Sequence, residues 1–128
     1  FRRVLFRSCT AIFRKSFVNE LELTDFDVDQ RLLTLPGTSL VIFTSIGCAS
    51  CRWARQVLPS LDLPVERVCW IDAAENGGVV QRYQVFHLPA LFVVRDGEFY
   101  GALHARLTLS ELSAGLNRVL SVDAEELP

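Results

Sequence analysis

Leu40-Val41-Ile42-Phe43-Thr44-Ser45-Ile46-Gly47-Cys48-Ala49-Ser50-Cys51 is the stretch on which the fold turns. Residues 40–44 form a short apolar run, the composition of a strand covered on both faces. Ser45-Ile46-Gly47 breaks that run, and a helix-like stretch from residue 49 to about 58 follows. The first thiol therefore lies where a strand ends and a helix begins. Two residues separate Cys48 from Cys51, a spacing that lets both sulfurs meet across one turn. Helix amides and the positive helix end stabilise an anion there, so the first sulfur is expected to ionise near neutral pH. A thiolate is the nucleophile of disulfide exchange, and a second sulfur can then release a trapped partner. The segment reads as a dithiol–disulfide site in which Cys48 attacks and Cys51 resolves.

Working outward, residues 17–23 alternate as a first strand. Thr24 reads as the N-cap of a helix over 25–34, with Asp25 and Asp27 in its first turn and Phe26, Leu32 and Leu33 on one side. Pro36-Gly37 ends it. Beyond the thiols, Trp53, Ala54, Val57 and Leu58 share a helix face, and Pro59 and Pro64 bracket the exit. A third strand over 65–71, a helix over 74–83 weakened by Gly77-Gly78, and a fourth strand over 91–94 follow. Asp96-Gly97 is a hairpin turn signal, which pairs a fifth strand over 99–103 antiparallel with the fourth. Thr108 and Glu111 make a capping box before a last helix striped by Leu109, Leu112, Leu116, Val119 and Leu120. Residues 121–128 are acidic and expected to fray. The order βαβαβαββα implies parallel crossovers with an antiparallel edge from the last hairpin. The expected fold class is α/β, a three-layer α/β/α sandwich around a mixed sheet of about five strands with helices on both faces.

The 128 residues suffice for one domain with one core, and half of them are hydrophobic. No apolar run approaches the roughly 20 residues that span a bilayer. Phe1-Arg2-Arg3-Val4-Leu5-Phe6-Arg7-Ser8 reads as the in-frame translation of a sequencing-adapter oligonucleotide and stays outside the fold argument. As a signal peptide it fails, because Arg14 and Lys15 interrupt the would-be apolar region. Its three arginines account for the step in formal net charge from −2 with it to −5 without it. A mildly acidic domain without basic clusters is a poor partner for nucleic acid or an anionic membrane. Four cysteines, Cys9, Cys48, Cys51 and Cys69, do not make a disulfide framework in a chain this long. Cys69 sits in the apolar run Val68-Cys69-Trp70-Ile71 and reads as a buried free thiol; Cys9 carries no assignment.

This order, with its CxxC after the second strand, resembles the thioredoxin family over residues 17–120. Three landmarks carry the resemblance: Cys48-Ala49-Ser50-Cys51, Leu88-Pro89-Ala90 before the fourth strand, and the turn Asp96-Gly97-Glu98. The resemblance implies a cis-proline at Pro89 opposite the thiols, which leaves a backbone edge free for an incoming substrate strand. It also implies that Gly47 and Leu88 flank the reactive sulfur, although Gly47 serves equally as a turn glycine. The family's thioredoxins usually carry Trp-Cys-Gly-Pro-Cys, where this chain has Gly47 and Ala49-Ser50. Their buried Asp, six residues before the first Cys, is Ile42 here, and the Lys that pairs with it aligns with Val68. Without that pair, proton transfer to and from Cys51 is expected to slow. Ser50 is a candidate hydrogen-bond donor to the thiolate and His87 a candidate proton carrier. Arg52 and Arg55 either add positive potential or are ordinary solvated helix residues.

The leading functional reading is a thiol–disulfide oxidoreductase with no cofactor. It would be a cytoplasmic monomer that works on disulfide-containing proteins, contributes to cell redox homeostasis and is reset by a thioredoxin reductase-like enzyme or glutathione. The alternative is a redox-sensing or adaptor module on the same fold, with little turnover. Two thiolates also make half a zinc or iron–sulfur site, but the other half has no ligands at suitable spacing, so no metal is expected.

Overall fold

A computed structural model describes residues 18–128, and the readings of residues 1–8, Cys9 and Phe17 fall outside them. The elements are β1 (Asn19–Leu23), α1 (Val28–Thr34), β2 (Thr38–Thr44), α2 (Ala49–Val57) with a 3-10 turn at Leu58–Ser60, β3 (Arg67–Asp72), α3 (Gly77–Arg82), β4 (Ala90–Arg95), β5 (Glu98–Leu103) and α4 (Leu109–Leu120). The strands form a five-stranded sheet in the order β1-β3-β2-β4-β5. β2 lies at its centre, with all seven residues buried. Alternation along β2 divides the core. Leu40 and Ile42 pack with Ala54 of α2, Leu58 of the 3-10 turn after it, and Leu112 and Leu116 of α4. Val41 and Phe43 pack on the opposite face with Val28 and Leu32 of α1, Val79 of α3 and Tyr83, which caps its C-terminus. The sandwich therefore has three layers, and each fully buried aliphatic or aromatic side chain stabilises it by roughly 1.5–3 kcal/mol.

One crossover runs differently from the sequence reading. β1 and β2 are each parallel to β3, but β4 is antiparallel to β2, with Phe43 beside Ala90. Asp72 at the end of β3 lies beside Thr44, and Ala90 at the start of β4 lies beside Phe43, so the β3–β4 connection, α3 included, begins and finishes at one end of the sheet. The chain therefore re-enters the sheet at the end it left. That reversal brings Pro89 to the edge of the sheet where β2 ends, the edge that carries the thiols.

Neither the cap nor the first-turn acids of the first helix fall where local sequence puts them. Asp27, not Thr24, is the N-cap residue of α1, and its Oδ1 instead accepts from the Thr24 amide at 2.8 Å. Phe26 in the intervening turn is 98% exposed rather than packed. Asp25 reaches across to cap α3, accepting from the Val79 amide at 2.8 Å. At the β4–β5 hairpin, Asp96 and Gly97 both have positive φ, 52° and 81°, the geometry that matches strand twist. A Cβ on Gly97 would lie 2.9 Å from the Leu33 carbonyl. Residues 121–128, read as fraying, dock on the sheet edge. Glu125 exchanges two 2.8 Å backbone bonds with Phe99, and Leu127 packs on the α1–α3 face. Among the described residues, no helix is long and apolar enough to cross a membrane.

Candidate active site

The turn between β2 and α2 sets the first thiol. The Cys48 amide donates to the Ser45 carbonyl at 3.2 Å, which closes the turn over Ile46 and Gly47. A Cβ on Gly47 would meet nothing within 4 Å, so the residue works there as an open turn glycine. Cys48 is the N-cap of α2, with extended φ and ψ of −101° and 116°. Its Sγ accepts from the Cys51 amide at 3.2 Å, the place a Ser or Asp oxygen takes in an ordinary cap. The sulfur therefore sits on the free amides of the helix, partly open to solvent, whereas Cys51 is 1% exposed.

Electrostatics separate the two thiols. The Cys48 pKa is lowered, first by the hydrogen bond from the Cys51 thiol, then by the backbone N–H groups of Cys51 and Ser50 and the Arg52 charge; its partial desolvation opposes them. Ser50 thus contributes through its main chain. Burial, with the Cys48 hydrogen bond second, pushes Cys51 up to about 11. Burial also pushes the fully enclosed Cys69 up to about 11. Cys48 is expected to be alkylated by iodoacetamide first, with a midpoint below that of an ordinary thiol, while Cys51 and Cys69 lag by orders of magnitude at pH 7. Mass spectrometry of the alkylated peptides against pH reads this directly, and equal rates at the three sites would refute it. The raised thiols carry a second consequence. The native protein keeps protons that the unfolded chain releases between about pH 9 and 11, so stability is full below pH 9 and falls across that window.

The Leu88–Pro89 bond is cis, and the Cys48 thiol faces the Leu88 carbonyl at 3.9 Å. Leu88 is partly buried against the α1–α3 face of the core. Ile46 and Phe86, two residues before Cys48 and Leu88 in the chain, are 82% and 88% exposed and leave apolar surface on the two loops that carry the thiol and the cis-proline. His87 is exposed and lines a separate cavity of about 530 Å³ with Tyr83, Pro89 and His104. Trp53, read as core, is 59% exposed.

Beneath the thiols Ile42 lies beside Trp70 in the β2–β3 register, with Val68 two residues along in the same core cluster, and all three are fully buried. The region where the resemblance puts the family's acid and base is apolar. A charge nevertheless reaches this region from α2. The Arg55 guanidinium lies 4.4 Å from the Trp70 ring centroid, pairs with the Glu22 carboxylate and donates to Thr44 Oγ1 at 3.4 Å. A cavity of about 390 Å³ behind Cys51 is lined by Thr44, Ser45, Arg52, Arg55 and Asp72. Sequence reasoning left Arg55 undecided. The signal for it was its place four residues after Cys51, one turn along the same helix face.

No protein-family model matches the chain. A thioredoxin of Staphylococcus aureus is 30% identical over 81 residues, which is 61% of this chain and 76% of that protein. Among solved structures, the thioredoxin of Trypanosoma brucei brucei superposes with a TM-score of 0.66 at 16% identity, covering 85% of this chain and 97% of its own. The zinc-bound form of human ERp44 gives 0.64 at 16% identity over 79% of this chain, which spans only 31% of that protein.

Proposed function

The chain belongs to the thioredoxin family, and we propose that it is a thiol–disulfide oxidoreductase for protein disulfides. The observation that carries the reading is two thiols at one helix mouth in opposed settings, Cys48 capping the helix with its pKa lowered and Cys51 buried with its pKa raised. The Cys48 thiolate attacks a substrate disulfide, forms a mixed disulfide and expels the other substrate sulfur as a thiolate. Cys51 then gives up its proton and attacks Cys48 Sγ. The Cys48–Cys51 bond forms as the bond to substrate breaks, and the departing sulfur takes the electron pair and a proton. The pair is oxidised by two electrons, and the substrate is reduced by two.

The exposed apolar surface of Ile46, Gly47, Leu88, Pro89 and Phe86 is where a disulfide-containing protein would dock. A reductase, thioredoxin reductase-like or glutathione-dependent, returns the pair to the dithiol. The same reading places a monomer in the cytoplasm, where thiols stay reduced. Ile42 and Val68, where the family's acid and base align, favour a second reading, a slow redox sensor whose surface changes with the state of the pair. A Cys51→Ser variant tests the main one. Incubated with insulin, it is expected to hold a covalent adduct through Cys48 that dithiothreitol dissolves. Absence of the adduct on non-reducing gels and by mass spectrometry removes the catalytic role.

A further inference from the structure

We infer that Arg55 is a positioning residue for the resolving step, the counter-charge that holds Cys51 as a thiolate where the family's buried acid–base pair is missing. The inference rests on the oxidoreductase reading and assigns one of its steps to a side chain. Three observations meet at this residue.

The first is placement. Cys51 and Arg55 are four residues apart on α2, so their Cβ atoms lie about 5–6 Å apart on one face. Both line the 390 Å³ cavity behind the thiols, although Cys51 is otherwise enclosed.

The second is restraint. A free arginine would sample many rotamers and spread its charge into water. Here the Trp70 ring, the Glu22 carboxylate and the Thr44 hydroxyl hold the guanidinium from three directions. A planar cation stacked on an indole keeps its charge fixed while its edge stays free to donate. Trp70 occupies the register position beside Ile42. The indole thus serves as the platform that carries the cation to the missing pair's region.

The third is charge balance. The groups facing Cys51 from α2 are Cys48, Arg52 and Arg55. β3 contributes Asp72, and β1 contributes Glu22, which acts through Arg55. The end of β2 supplies Thr44 and Ser45, which do not titrate in this range. In the mixed disulfide Cys48 is neutral, so Arg52, Arg55 and Asp72 set the field at Cys51. Arg52 is turned toward the Ile46 carbonyl, to which it donates at 2.8 Å. Arg52 also lines the cavity, at its Ile46 side, whereas Arg55 is the cation held against Trp70 and Thr44.

The test uses the whole protein and the disulfide of 5-thio-2-nitrobenzoate. Cys48 attacks this reagent and releases one coloured thiolate; Cys51 then displaces the second, whose appearance times resolution. Arg55→Met keeps the length over Trp70 and removes the charge. It is expected to slow the second release about threefold at pH 7. A rise of one unit in thiol pKa cuts the thiolate tenfold, and the more basic thiolate recovers part of that loss. The pH midpoint of the second release should move up by about one unit, with the first release unchanged and Arg55→Lys restoring both values. Should Arg55→Met fail to fold, Arg55→Gln, which keeps a donor for Glu22 and Thr44, carries the same expectation. A second release with the parent's rate and midpoint in the neutral variant overturns the inference, as does Arg55→Lys behaving like Arg55→Met. A parent protein that releases one equivalent and keeps the other shows Cys51 does not resolve, and the oxidoreductase reading falls with it.

Discussion

Replacing Cys48 with serine is expected to lower dithiothreitol-driven reduction of insulin on the order of 10³-fold or more, a loss above about 4 kcal/mol of transition-state stabilisation. A hydroxyl at this site cannot take part. Its proton is held far too tightly for a helix mouth to remove at neutral pH, and an S–O bond is no substitute for the mixed disulfide. The substitution isolates chemistry from folding because of the role Cys48 already plays. Its Sγ caps α2 by accepting from the Cys51 amide at 3.2 Å, and serine is among the best residues for that position. The side chain is partly exposed and fills no core void. The variant should therefore unfold at the parent's denaturant concentration while losing turnover. Undiminished insulin reduction in the folded variant would remove Cys48 from the mechanism. Reduced turnover accompanied by a lowered unfolding midpoint would trace the loss to the fold instead.

The site and the sheet were legible in the sequence to different depths. Cys48 and Cys51 announce themselves because a fully buried strand, a break and a helix fix where the sulfurs stand, and those signals are local. β2 is legible for the same reason, since its apolar run leaves no face for solvent. Strand direction after α3 was not legible. Helix-separated strands suggest parallel pairing, and the return of the chain to the same end shows only in the long-range pairing of β4 with β2. The cap at Asp25 was hidden because its partner, Val79, lies 54 residues away. The tail looked free because its acidic residues hide backbone groups that an edge strand needs, and Phe99 takes them. Counting back from the cysteine located Ile42 correctly. Its cross-strand neighbour Trp70 was not legible, because register belongs to a pair of strands and not to either one. Arg55 follows the same logic: its role depends on Trp70 and Glu22, two side chains from other strands.

Introducing the family's acid, Ile42→Asp, is expected to destabilise the protein by about 3–5 kcal/mol at pH 7. Ile42 is fully buried, paired with Trp70 on one side and Leu91 on the other, and packed on the α2–α4 face. The substitution loses aliphatic burial and places a carboxylate among apolar neighbours with no lysine beside it. Burial raises the folded-state pKa of such a group above the unfolded value of about 3.9. The native state then keeps a proton that the unfolded chain releases. Stability relative to the parent is highest below about pH 4 and declines with rising pH until the folded-state pKa is passed, by at most about 1.4 kcal/mol per unit. Urea unfolding of parent and variant between pH 4 and 8 measures the difference. A deficit that stays constant over that range shows that the carboxylate is already charged and paired when folded. The cation within reach of it is Arg55, drawn off the Trp70 ring, and the Glu22 pair would be lost in the same movement. A deficit that grows with pH shows that Arg55 stays on its ring, and that this core accommodates a charge at its edge but not at its centre.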